Sequence, residues 1–295
     1  MSAPSASANP RAITLAVLAI FCFTCMDVCV KFISPITGAM PALWARYTVQ
    51  MLLVLILVAP RLRSVVRSHY PKLQITRSIL LMMATFFYFL ALGRIGLAEA
   101  AAVMSLNPML ITMGGAIFLG EALGQRRIAA IVVAMIGAFI IIRPGTDVFS
   151  PVALLPLCAA TCFAAYTLIT RRIGPDENVW TSLFYTGLVG TVILSLIVPF
   201  YWQPLTLKAV ALMGLIGLFG ATGQMLLIRA LSMAEAGLLA PFNYSGLVFS
   251  ILFGLFLFAE VPDAWTVVGA LVIVGAGLYV WHRETRVTRK AKTAL

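Results

Sequence analysis

Hydrophobic positions in this chain neither alternate nor mark a single helical face. They run on for about 20 residues at a time, the length an α-helix needs to cross roughly 30 Å of hydrocarbon. Ten such runs, separated by charge, Pro or Gly, cover residues 12–33, 41–59, 75–93, 97–119, 127–143, 151–170, 178–199, 209–231, 238–258 and 264–282. Strands of a membrane barrel would alternate over about 10 residues, so continuous runs of twice that length predict helices. The predicted fold is all-α and integral to the membrane, with ten transmembrane helices. The run after Arg11 is too long for a signal-peptide core and contains an acid, which predicts that the first span is retained.

The runs repeat. Sliding 21–33 onto 161–173 pairs Cys22 with Cys162, Phe23 with Phe163, Lys31 with Arg171 and Ile33 with Ile173. Nearly the same offset places Ala91-Leu92 on Ala230-Leu231, Glu121 on Glu260, and Ile136-Gly137-Ala138 on Val274-Gly275-Ala276. The expected organisation is a first five-helix repeat in 1–145 and a second in 146–285, joined near RPGTDVFSP, with a basic tail in 286–295. Five is odd, so the second repeat starts on the opposite side of the membrane. Two inverted repeats enclose a midplane site that rocking exposes to each side in turn. Two stripes of small residues, Ala130/Ala134/Ala138 and Gly214/Gly217/Gly220, suit close helix contacts.

Composition agrees with this reading. With 62% hydrophobic and 11% charged residues and a mean hydropathy of +1.03, too little polar side chain remains to wet a globular surface. The net charge of +11 sorts by topology and is not a nucleic-acid footprint. With ten spans both termini share one side, and most of the 21 Lys and Arg, Arg77 among them, fall there. Opposite lie Lys31, Arg46, Arg94, Arg143 and Lys208. The positive-inside rule then predicts cytoplasmic termini. All five Cys lie within spans, away from both His, and read as small packing residues; neither a metal site nor a disulfide is expected. No dinucleotide, Walker or HExxH motif occurs, so no cofactor is implied. A membrane-embedded enzyme or lipid-handling protein would need a nucleophile and base at one depth, and a sensor a soluble output domain; the sequence offers neither.

Charge inside the runs is where chemistry is expected, because an ionisable group at membrane depth costs several kcal/mol and needs a partner or a purpose. Asp27 and Lys31 are one turn apart with the acid first, the order that favours an intrahelical ion pair. Lys31 has Arg171 as its repeat counterpart, which suits a snorkelling helix end. Asp27 and Arg46 have no charged counterparts, and Asp27 reads either as a substrate or proton-coupling site or as the counter-ion of Lys31 and Arg46. Two cations and one acid suit a carboxylate-bearing substrate, with Arg46 as its bidentate partner. Tyr88, Asn107, Tyr166, Tyr185, Gln224, Asn243 and Tyr244 carry polar atoms that hydrocarbon cannot satisfy and are expected to line the interior. An amino acid with an apolar side chain would use their ring faces and amides. Pro108 predicts a kink that frees the Met104 carbonyl.

With NPMLITMGGAIFLGE (107–121) closing the fourth run and LFGLFLFAE (252–260) closing the ninth, the chain resembles the drug/metabolite transporter superfamily, specifically its EamA-type exporters. The resemblance spans about residues 12–281. The family's Pro before the closing Glu is met by Pro108; the second repeat has Leu247 there and Pro241 earlier. Gly120 precedes one Glu and Ala259 the other, and Phe21-Cys22 stand where the family often has Trp-Gly. The resemblance implies a multi-pass protein of the bacterial inner membrane that exports small metabolites, nearest to exporters of aromatic and other neutral amino acids.

Overall fold

The computed structural model describes residues 10–119, 125–143, 150–173, 176–233 and 239–293. Gly120, Glu121 and the junction at 144–149 lie outside the described residues. The helices are α1 (Pro10–Thr37), α2 (Ala39–Val58), α3 (Leu62–Val66), α4 (Pro71–Leu92), α5 (Leu97–Met104), α6 (Asn107–Leu119), α7 (Gln125–Ile142), α8 (Leu155–Ile173), α9 (Val179–Ile197), α10 (Leu207–Met233), α11 (Ser245–Phe258) and α12 (Ala264–Thr293). Among the described residues there is no strand. Seven helical segments are long and apolar enough to cross a membrane, and three shorter apolar helices cover 128–142, 242–258 and 264–279.

These segments are helical because uninterrupted apolar sequence leaves the backbone no partner but itself. Their outer surface stays apolar: Ile56, Phe118, Leu196, Phe256 and Leu271 are each well over half exposed, a belt that water would not tolerate and lipid does. Between α1 and α2 the chain turns on Gly38 alone, whose φ of 75° favours glycine.

The fourth predicted run is two helices. The ladder breaks at Ser105 and Leu106, where short i→i−3 bonds replace the regular pattern ahead of Pro108. Its counterpart in the ninth run is the 3₁₀ segment Ala240–Tyr244, which contains Pro241 and leads into α11.

The main helix pairs are kept when each helix of residues 10–143 is exchanged with the helix at the matching place in 150–281. α1 packs on α10 and α4 on α8; α2 pairs with α9, α5 with α11 and α7 with α12. The pairs that map onto themselves are antiparallel. Gly190 faces Tyr47 while Gly187 faces Met51, and Gly137 meets Ile273 while Gly269 meets Ile141. At the α7–α12 crossing a Cβ on either glycine would lie under 3.0 Å from the other's carbonyl oxygen, so these helices touch backbone to backbone. The alanine stripe lies in this region, with Ala130, Ala134 and Ala138 all buried. The glycine stripe is only partly a packing device: Gly217 receives Val49 and Gly220 receives Met26 and Arg46, but a side chain at Gly214 would meet nothing.

Candidate functional site

Asp27 is buried on α1, and its Oδ1 has no hydrogen-bond partner. It lies within electrostatic reach of Arg46 and Tyr88, which arrive from α2 and α4. Arg46 is 3% exposed. Its aliphatic stem is seated against Gly220, its Nη1 donates to Thr85 Oγ1 at 3.1 Å and its guanidinium lies 4.7 Å from the Tyr47 ring centroid. Thr85 spends its one proton on the Leu81 carbonyl at 2.8 Å, so its oxygen accepts from both Arg46 and Tyr47. Arg46 Nε remains without an acceptor.

A second cluster was not anticipated. Arg77, read from the sequence as one of the basic residues on the side of the termini, is 1% exposed and the largest fully buried side chain described. It sits about two turns into α4, beyond the reach of a helix-end snorkel. Its Nη2 donates to the Ser182 carbonyl and to Thr186 Oγ1, each at 3.2 Å, and its guanidinium lies 5.2 Å from the Tyr166 ring centroid. Gln224 donates to Tyr166 Oη at 2.9 Å, joining α10 to α8. Gln74 donates to Ser182 Oγ at 3.3 Å. Arg77 Nε and Nη1, Gln74 Oε1 and both amide atoms of the fully buried Gln50 have no partner. One signal in the sequence pointed here: Gln74, Arg77 and Ser78 share a helix face at i, i+3, i+4, and that face is buried.

The two clusters are neighbours, since Tyr47 and Tyr166 lie within electrostatic reach of each other. Of the residues singled out from sequence, Asp27, Arg46, Tyr88, Tyr166 and Gln224 come together in this polar interior. Asn107 is buried at the α5–α6 break with Oδ1 unpartnered. The others are placed apart. Tyr185 donates to the Val66 carbonyl at 3.0 Å. Asn243 is exposed, and Tyr244 packs its hydroxyl against Gly277 of α12. A helix that is apolar on every side gives no periodicity from which to read the inward face, and these three tyrosine and asparagine assignments depended on it.

Lys31 corrects another expectation. Its partner is not Asp27 but Glu260, just beyond the end of α11, with Nζ to Oε1 at 2.6 Å. Lys31 also donates to the Ile95 carbonyl at 2.7 Å, and Glu260 Oε2 accepts the Leu97 N–H at 3.0 Å. Glu260 therefore caps the start of α5 while pairing with α1, next to a cleft of about 520 Å³ bounded by Pro35, Arg94 and Phe258. Close by, Arg143 pairs with Asp263, whose Oδ1 also accepts the Thr266 N–H. Burial raises the Asp263 carboxyl, but the Thr266 and Arg143 hydrogen bonds outweigh it and hold the group below the usual range. Both ion pairs join the first repeat to the second at the bundle end remote from the start of α1.

The opposite end is also fastened. Glu177, between α8 and α9, accepts from Ser68 Oγ at 2.6 Å, His69 N–H at 2.7 Å and Tyr70 N–H at 3.2 Å. Burial raises its carboxyl, and these hydrogen bonds prevail and lower it. Among the described residues no group of three or more His, Cys, Asp or Glu gathers as a metal site. Chemically, the interior offers cationic donors, one carboxylate oxygen and ring faces at membrane depth. Those are groups that could pair with a polar organic molecule.

The EamA-like transporter family matches the chain twice, over residues 10–143 and 150–281. The pseudopaline exporter CntI of Pseudomonas aeruginosa is 29% identical over 269 residues, covering 90% of this chain and 93% of that protein. A riboflavin transporter of Rhizobium johnstonii is 31% identical over 231 residues, with 76% and 74% covered. An S-adenosylmethionine uptake transporter of Rickettsia bellii is 28% identical over 267 residues, with 90% and 91% covered. A solved crystal structure superposes with a TM-score of 0.65 at 19% identity, covering 94% of this chain and 99% of that one, which supports the fold. The chain is a multi-pass membrane transporter and belongs to the EamA-like transporter family, within the drug/metabolite transporter superfamily.

Proposed function

We propose that this protein is a secondary transporter of the bacterial inner membrane that exports a small, carboxylate-bearing amphipathic metabolite by alternating access. The observation that carries the reading is the buried interior around Asp27, Arg46, Arg77, Tyr166 and Gln224, where Asp27 Oδ1, Arg46 Nε, and Arg77 Nε and Nη1 are left without protein partners. Packing that survives exchange of the two repeats, with self-paired helices antiparallel, supports ten spans in two inverted five-helix halves, 1–145 and 146–285. Inter-repeat contacts at both ends, Lys31–Glu260 at one and Glu177 with residues 68–70 at the other, are the natural gates. Each opening sacrifices one set.

Amino acids are the first substrates to test. A carboxylate on Arg46 and an ammonium on Asp27 would orient them, and the Tyr47 and Tyr166 rings would receive an aromatic or other neutral side chain. The names of the relatives, pseudopaline, riboflavin and S-adenosylmethionine, widen the panel and include both directions of transport. Catalysis is not part of the reading. Counterflow in proteoliposomes with labelled phenylalanine, leucine, threonine, glutamate and riboflavin tests it: saturable exchange of at least one compound is expected, and exchange of none would refute it. Reporter fusions to the C-terminus should be active in the cytoplasm; activity only in the periplasm would overturn the orientation.

A further inference from the structure

We propose that the substrate is an amino-dicarboxylate, a molecule with two carboxylates and one ammonium, held by Arg46 and Arg77 at its acidic groups and by Asp27 at its ammonium. The inference rests on the transporter reading above and deepens it.

The described polar interior contains two guanidiniums and one carboxylate, and neither Arg46 nor Arg77 forms an ion pair among the described residues. A buried lysine can shed its proton to escape the cost of burial, but a guanidinium cannot. Thr85, Thr186 and the Ser182 carbonyl satisfy some N–H groups, and tyrosine faces shield the planes, but these partners carry no negative charge. With an ammonium against it, the Asp27 carboxylate offsets one of the two charges. The remainder is one unit positive, which a substrate of net charge −1 neutralises while it occupies the site.

The leftover hydrogen-bonding atoms say how that charge is divided. Free donors are Arg46 Nε on one side and Arg77 Nε and Nη1 on the other. Each guanidinium thus has unspent N–H groups for a carboxylate, with bidentate pairing open to Arg77. Among the described carboxylates the buried oxygen without a partner is Asp27 Oδ1, which calls for a cationic donor. Two carboxylates and one ammonium complete all three. The two guanidiniums share α9 as a wall: Gly190 faces the Tyr47 ring that lies 4.7 Å from Arg46, and Thr186, which holds Arg77, is one helical turn away, roughly 6 Å along the axis. A neutral amino acid would leave Arg77 uncompensated in the bilayer.

The test uses the full-length protein in proteoliposomes, with counterflow of labelled L-glutamate, succinate and L-phenylalanine compared at equal concentration. Glutamate should exceed both by about tenfold or more, the scale of one charge-assisted hydrogen bond. Arg77→Gln should lower the ratio of glutamate to phenylalanine flux about tenfold. Thr186→Asp, which places a carboxylate against Arg77 with little change of volume, should reverse the preference toward phenylalanine, a gain that misfolding cannot imitate. Phenylalanine moving as well as glutamate, succinate outpacing glutamate, or Arg77→Gln and Thr186→Asp lowering all fluxes in proportion would each overturn the proposal while leaving a transporter. Movement of no solute here or in the wider panel would overturn the transporter reading beneath it.

Discussion

Separating Lys31 from Glu260 should shift the protein toward a state open at that end, and the size of the shift follows from burial. Exposed ion pairs contribute about 0.2–1 kcal/mol, whereas orphaning one partner of a buried pair costs about 3–5 kcal/mol. The Lys31 and Glu260 side chains are 13% and 30% exposed, so the pair lies between these limits. Discounting for solvent screening leaves about 1.5 kcal/mol, a factor of about ten in the ratio of closed to open states. Lys31→Met keeps the apolar stem beside Phe258, and Glu260→Gln keeps an oxygen for the Leu97 N–H, so both changes isolate the charge. Cys29, buried half a turn below Lys31, is the reporter in a chain from which Cys22, Cys25, Cys158 and Cys162 have been replaced by Ala. A membrane-impermeant maleimide added on the Lys31 side should label Cys29 about tenfold faster in either single variant. The double variant should label no faster than the singles, because both break one contact. Unchanged rates, or rates that multiply in the double variant, would refute the gate.

Four further outcomes follow. Asp27→Asn should abolish or uncouple transport without loss of insertion; unchanged flux in loaded vesicles would remove Asp27 from the site. Gly190→Ala drives a methyl to 2.3 Å from the Tyr47 ring and should cost about 1–3 kcal/mol, seen as a fall of several degrees in melting temperature in detergent, while Gly214→Ala, facing open space inside α10, should not lower it and should raise it slightly. Ala259 ends α11 with a φ of 52°, so Ala259→Gly should raise stability by about 1 kcal/mol in the same assay. Glu177 has a folded-state pKa below its unfolded value of about 4.3, so its contribution is present above that pH and lost as pH falls through the folded pKa. Glu177→Gln should therefore flatten the acid limb of the stability profile below about pH 4.3, and an unchanged limb would exclude the clamp on residues 68–70.

Much of the fold was legible because bilayer thickness dictates helix length. The runs read at 41–59 and 209–231 became Ala39–Val58 and Leu207–Met233. The break before Asn107 was announced by Pro108, and in the structure it replaces a kink with two separate helices. Side-chain direction was much less legible. In water the buried face of a helix differs chemically from the exposed one; in lipid both are apolar, so Tyr185 and Gln224 could not be told apart until Tyr185 was found bonded to Val66 and Gln224 to Tyr166. Lys31 was paired with Asp27 on sequence distance, while the tertiary partner came from Glu260, more than two hundred residues away. Arg77 was hidden because a cation near a helix start resembles a topological signal. Only helix packing on α8 and α9 shows that it faces inward.

The central claim, that transport requires the Lys31–Glu260 end to open, is tested most directly by locking it. With the five native cysteines replaced by Ala, Lys31→Cys and Glu260→Cys in one chain can be joined by a short bifunctional thiosulfonate, and substrate counterflow measured before linking, after linking and after reduction. Flux should disappear with the link in place and return when it is reduced. Undiminished flux through the linked protein would contradict alternating access at this gate.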